Sequence, residues 1–335
     1  MSLTTLGDAA GYHLFRRDSA GLKADLQRLT TELSTGRVSD LGQATGGDFS
    51  ALSDVMHRLR LTETFATGIA EAALAAQGRQ TALERLSAEI EGLGPGLLAV
   101  SNSGAASELQ LRLADAPDRF EMAVSSLNTR VAGQSLFSGD RPDQPALRPA
   151  DDILDALRPI ADAAPDAATL IAEIDAWFSD TGGGYDSFAW QGGGGDPPPV
   201  LLEEGQSVEA GVTAREDAIR TTLAGLALAA LTAEGHGPAD ETSRRELTQA
   251  AAGRLELGET GLIQLRANLG TAEAQLDAAR VRTEATRSSL ELEQGRITAA
   301  DPYSTASEIE ELSQRLESLY LVTARLSRLS LSEYL

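Results

Sequence analysis

Leucines recur at steps of four and three along two stretches that lie at opposite ends of the sequence. Leu22, Leu26, Leu29 and Leu33 keep that spacing near the start, and Leu312, Leu316, Leu319, Val322, Leu326 and Leu329 keep it near the finish. Such spacing sets one apolar seam along each helix, and a seam needs a partner helix to cover it. Chain ends usually fray and are usually polar. Here the ends are among the most strongly patterned segments, so they are expected to be the working surface. The plainer reading of the seams, as the interior of an ordinary antiparallel bundle, applies with more force to the internal helices than to the last one.

The remaining sequence is compatible with long helices at close range. Apolar residues supply 42% of the chain but aromatics only 4%, so Ala and Leu carry the core. The net charge of −22 argues against a nucleic-acid partner, because phosphate neutralisation needs clustered Lys and Arg. Lys23 is the only lysine. Cysteine is absent, which removes disulfides, thiolate nucleophiles and Cys-ligated metals together. The sequence holds no run of apolar residues long enough to span a bilayer, so no membrane insertion is expected. Residues 1–11 have neither a basic region nor an apolar stretch of the Sec-signal type.

Read along the chain, the pattern predicts a helix over 12–35 ending at Gly36, a connection over 37–48, and a long helix over 49–91. That last stretch would measure roughly 65 Å at the usual helical rise. The cluster Gly92-Leu93-Gly94-Pro95-Gly96 reads as a strong breaker. A third helix is predicted over 104–132, closing at Gly133, with one or two short helices over 150–180. The Gly182–Gly184 and Gly192–Gly195 clusters read as flexible linker, and Val200–Val212 as a small hairpin about Glu204-Gly205-Gln206. Helices follow over 214–234 and 240–294, a break over 295–303, and a final helix opened by Pro302. The expected fold is mainly α: long terminal helices forming a coiled-coil or helical-bundle rod, with a small mixed α/β domain inserted in the middle. Its divisions are 1–140, 141–239 and 240–335.

Signatures of catalysis are missing. Lys23 lies between Leu22 and Ala24, so it belongs to no phosphate-binding loop. His13, His57 and His236 are isolated and lack metal-ligand spacing. No G-x-S-x-G elbow occurs, and pairs such as Asp151-Asp152 and Glu203-Glu204 read as solvated in so acidic a chain. Trp177 and Trp190 are expected to pin the core of the middle domain. The chain is thus read as a non-enzyme without cofactor or metal.

Four motifs carry a resemblance. Leu29–Asp40 (LTTELSTGRVSD) is similar to the amino-terminal signature of the flagellin family. Ser126–Gly139 (SLNTRVAGQSLFSG) resembles a segment ending Leu-Phe-Ser/Ala-Gly in members of that family at the hook–filament junction. Asn268-Leu-Gly, then Asp301 with Glu308, Ile309 and Leu312, resemble its carboxyl-terminal pattern, and Leu329–Leu335 (LSLSEYL) its junction-type tail. Gly46-Gly47-Asp48-Phe49 departs from the step usual after the Gly-Arg motif. The match covers roughly 12–140 and 240–335. The resemblance implies a structural subunit of the bacterial flagellum, outside the cell at the hook–filament junction. It would leave through the flagellar export channel without a cleavable signal peptide. Its terminal helices would pair, with the ten seam residues as the assembly interface and the variable middle facing outward. Implied partners are neighbouring copies, other hook-associated proteins and flagellin, with an export chaperone suited to the last helix. A filament flagellin and, in another class, a cytosolic coiled-coil adaptor stay open as alternatives.

Overall fold

The computed structural model describes the backbone of residues 4–103 and 106–332 and the side chains of 13–42, 45–102 and 107–325. Eleven α-helices and two small hairpins are present among them. In order these are α1 (Thr4–Thr35), α2 (Leu41–Ala44), α3 (Ser50–Ile90), α4 (Leu93–Ser103), α5 (Ala106–Leu113), α6 (Ala116–Leu127), β1 (Arg130–Val131) and β2 (Gln134–Ser135). Then come α7 (Ala150–Ala163), α8 (Ala167–Ser179), a π-helical turn at Tyr185–Ala189, β3 (Val200–Glu203), β4 (Gln206–Val208), α9 (Asp217–Glu234), α10 (Glu241–Thr298) and α11 (Pro302–Ser332). Among the described residues no helix is long and apolar enough to cross a membrane.

The chain divides into two compact units. The end unit combines Met1–Glu63 with Ala285–Leu335, and the middle unit is Thr64–Glu284. The divisions fall inside α3 and α10, so the positions 140/141 and 239/240 expected from composition both lie within the middle unit.

The middle unit is organised around α9. Its Leu- and Ala-rich stretch is buried on every side, from Leu223 to Thr232, as expected of a helix without a polar face. Helices α6, α7 and α8 pack against it, and Phe120, Leu157, Ile174 and Phe178 close the core with it. Trp177 and Trp190 do join this core, the first buried and the second half-buried against it. Asp166 opens α8, its carboxylate accepting the Thr169 N–H at 2.8 Å, the usual way to satisfy a free amide at a helix start.

Three sequence expectations fail here, each for a packing reason. The breaker at 92–96 is a single turn: Gly92 takes the left-handed conformation (φ 69°), and Leu93–Gly96 already belong to α4, where Pro95 in the first turn needs no hydrogen-bonded N–H. The predicted third helix breaks at Ala114-Asp115 and stops at Leu127. Asn128 then exchanges side-chain hydrogen bonds with both backbone groups of Leu147 (2.9 and 3.0 Å), and β1–β2 turn tightly through Ala132 and Gly133, both at positive φ. The glycine clusters are not slack linker. A Cβ on Gly184 would stand 1.8 Å from Trp177 Nε1, and one on Gly193 1.3 Å from Asp140 Oδ1. These glycines are small because rings and carboxylates press on them. The hairpin about Gly205 forms as predicted. A fourth expectation fails in the end unit, where α10 runs on through Gly295 to Thr298 and shortens the break predicted over 295–303.

A charged cluster of this unit is also built in. Asp186 accepts Arg220 Nη2 at 2.8 Å and Arg215 Nε at 3.3 Å, while Arg220 lies over the Tyr185 ring. Burial raises the Asp186 carboxyl, but the Gly182 N–H and the two arginines outweigh it and hold the group below its ordinary value.

Candidate assembly surface

The end unit is built by α1 and α11 lying against each other. Three local devices set that pairing. Gly36, at φ 69°, ends α1 with its N–H donated to the Glu32 carbonyl at 2.8 Å, a left-handed cap that only glycine adopts without strain. The next residues form an antiparallel bridge between Arg37 and Ala299: Val38 N–H donates to Thr298 O at 2.9 Å and Ala300 N–H to Gly36 O at 3.0 Å. Asp301 then starts α11 by accepting the Tyr303 N–H at 2.9 Å. The chain on leaving α1 is thereby tied to the chain on entering α11.

Glu32 is the polar pin of this junction. It is 3% exposed, and its carboxylate accepts the Ser39 N–H at 2.9 Å and Arg28 Nη1 at 3.1 Å. Burial alone raises its carboxyl, but the Ser39 and Arg28 bonds outweigh that and leave it below its ordinary value. An acidic residue in an acidic chain gave no reason to expect this. The only signal was its place three residues after Leu29, on the seam side of the helix. A second contact sits farther along, where Lys23 lies 5.6 Å from the centre of the Tyr320 ring, within range for a cation–π attraction.

The predicted seam is only partly covered. Leu29 is buried, Leu22, Leu26, Leu312, Leu316 and Leu319 are half-buried, and Leu33 and Val322 stand 42% and 48% exposed. Leu326 and Leu329 lie in α11, but their side chains fall outside the described residues. An open groove of about 520 Å³ runs between Phe15 of α1 and Leu319 and Val322 of α11. Within the end unit, the fully buried apolar side chains among the described residues are Leu29, Leu52, Val55, Leu290 and Ala300. Eleven large apolar ones are exposed, Leu14, Phe49, Tyr320 and Leu321 among them. That ratio is inverted relative to the middle unit, and contiguous exposed apolar surface of this kind is what interaction sites in general present. His13 and His57 are exposed, and no group of His, Asp and Glu among the described residues is arranged to hold a metal ion.

The comparisons with known proteins match this geometry. Residues 256–335, which take in about the last three-quarters of α10 and all of α11, match the family model for the bacterial flagellin C-terminal helical region. No curated protein matches the sequence. Among solved structures, the chain is similar to a protein from Vibrio parahaemolyticus described as a putative flagellar hook-associated protein. The TM-score is 0.51 at 15% identity, over 73% of this chain and 95% of that one. At that identity the likeness establishes the fold. Residues 256–335 thus resemble a flagellin carboxyl-terminal helical region, in a chain whose fold is similar to that of the Vibrio parahaemolyticus protein.

Proposed function

We propose that the chain is a structural subunit of the bacterial flagellum, seated at the hook–filament junction and joined to its neighbours through α1 and α11. One observation carries the reading: the pairing of α1 with α11 leaves Leu33, Tyr320, Leu321 and Val322 more than two-fifths exposed, on an end unit with few buried apolar side chains of its own. Covering such surface is worth about 25 cal/mol per Å², and in a polymer every subunit gains it from its neighbours. The assembly interface comprises Leu22, Leu26, Leu29, Leu33, Leu312, Leu316, Leu319, Val322, Leu326 and Leu329. Residues 1–140 and 240–335 form the helical body, and 141–239 form the variable part that faces outward.

Neighbouring copies, other hook-associated proteins and flagellin are the partners that fit this surface. The apolar stripe on α11 suits an export chaperone that shields it before assembly. A chain without cysteine also suits export in the unfolded state, since it has no disulfide to undo. Deleting residues 315–335 tests the reading. The truncated chain is expected to keep a folded middle unit yet be missing from the sheared flagellar fraction of a strain lacking the full-length protein. Incorporation of the truncated chain at the full-length level refutes the proposal.

A further inference from the structure

An apolar groove of about 610 Å³ opens on the middle unit. Ile160 and Trp177 form its floor, Ala163 and Ala176 its sides, and Glu173 and Asp180 its rim. The alanines are exposed, so the groove is open because its walls are short rather than because a side chain has swung away.

Its electrostatics are one-sided. Ala163 is the last residue of α7 and Asp180 caps the end of α8, so both helices bring their carboxyl ends to the groove. Neither helix has a basic residue in its last turn, and the partial negative charge of each carboxyl end is left uncompensated. Among the described residues, no ion pair or side-chain hydrogen bond engages Glu173 or Asp180. The nearby charges are occupied elsewhere: Arg158 pairs with Glu234 and Asp155, Asp162 with His236, and Asp175 with Arg254. Residues 150–180 carry eight carboxylates against one arginine.

An apolar floor under an unneutralised acidic rim fits one kind of occupant. We infer that this groove docks a basic amphipathic segment of a partner protein, its apolar side chains against Ile160 and Trp177 and its Arg or Lys side chains on Glu173, Asp180 and the two helix ends. A second copy of this chain is a poor occupant of this groove, because with 28 Lys and Arg against 50 Asp and Glu it is a poor source of a basic segment. An anionic membrane is repelled by the acidic rim itself.

The test is fluorescence anisotropy with the full chain and a labelled helical peptide of Arg, Leu and Ala. Two control peptides carry Glu in place of Arg, or Ser in place of Leu. The basic amphipathic peptide is expected to bind and both controls to fail. Glu173→Lys with Asp180→Lys is expected to weaken binding about tenfold or more, while the equal charge change at Asp151→Lys with Asp152→Lys moves it by less than about twofold. Ala176→Gln, which fills the groove without altering charge, is expected to weaken binding comparably. This variant decides between the outcomes if circular dichroism shows the double lysine variant misfolded, and wild-type binding by it then overturns the inference. No binding by the basic peptide also overturns it. So does equal loss in both lysine pairs, which reveals diffuse charge attraction, or equal binding of the serine control, which reveals a site for small polycations.

Discussion

Leu29 and Leu33 occupy successive positions of one seam, yet the first is 3% exposed and the second 42%. That difference predicts opposite consequences for one chemical change. Leu29→Ala empties a closed site and is expected to destabilise the isolated subunit by about 2–5 kcal/mol. The pair Leu33→Ala and Val322→Ala removes side chains that the subunit half covers. Complete burial of a Leu or Val is worth about 1.5–3 kcal/mol, so the fraction left for a neighbour to cover is worth about 0.7–1.4 kcal/mol for each. The two together weaken each subunit contact by about 1.4–2.8 kcal/mol, a factor of about 10–100 in affinity. The isolated subunit loses only about 1–2 kcal/mol, because Val→Ala recovers part of the loss in helix propensity. Urea unfolding of the purified subunit reads the first quantity, and the amount of protein in sheared flagellar fractions reads the second. The reasoning fails if the double variant unfolds as readily as Leu29→Ala, or if it assembles at the wild-type level.

Other expectations follow from the buried polar groups and the packed glycines. Because the Glu32 carboxyl is held below its unfolded-state value near 4.5, it stabilises the fold above that pH. This contribution is lost as pH falls through the lower folded value. Glu32→Gln should therefore flatten the acid limb of a stability–pH curve measured by urea unfolding, and an unchanged limb shows that Glu32 is not the pin. Gly184→Ala drives a Cβ into the Trp177 indole and is expected to cost about 2 kcal/mol or more, with altered tryptophan fluorescence. Wild-type stability and spectrum would contradict that packing. Burial pushes the Tyr185 phenol well above its ordinary value, and its hydroxyl donates to Ala214 O at 2.5 Å. Tyr185→Phe should remove the last step of an alkaline phenolate absorbance titration and lower stability by about 1–3 kcal/mol.

Much of the assembly surface was legible in the amino-acid order alone because helix registry is a local property. A step of three or four residues returns to the same face of a helix, so the leucines of α1 and α11 declare one apolar stripe each wherever the helices lie. Turns are local in the same sense. Gly36, Gly205 and Gly235 adopt positive φ where the sequence placed a helix end or a hairpin. What spacing leaves open is coverage. Glu32 and Leu33 are neighbours, and the acid is buried while the leucine is 42% exposed, because the Ser39 amide and Arg28 close over the first and the second is covered only in part. The glycines at 182–195 show the same limit. Their composition reads as slack chain, whereas Trp177 and Asp140 from outside the stretch, with Trp190 from within it, fill the space that a side chain would need. Periodicity along a stretch of sequence dictates which residues can share a face. Only the arrival of atoms from distant positions dictates which of those faces is closed, and which waits for another molecule.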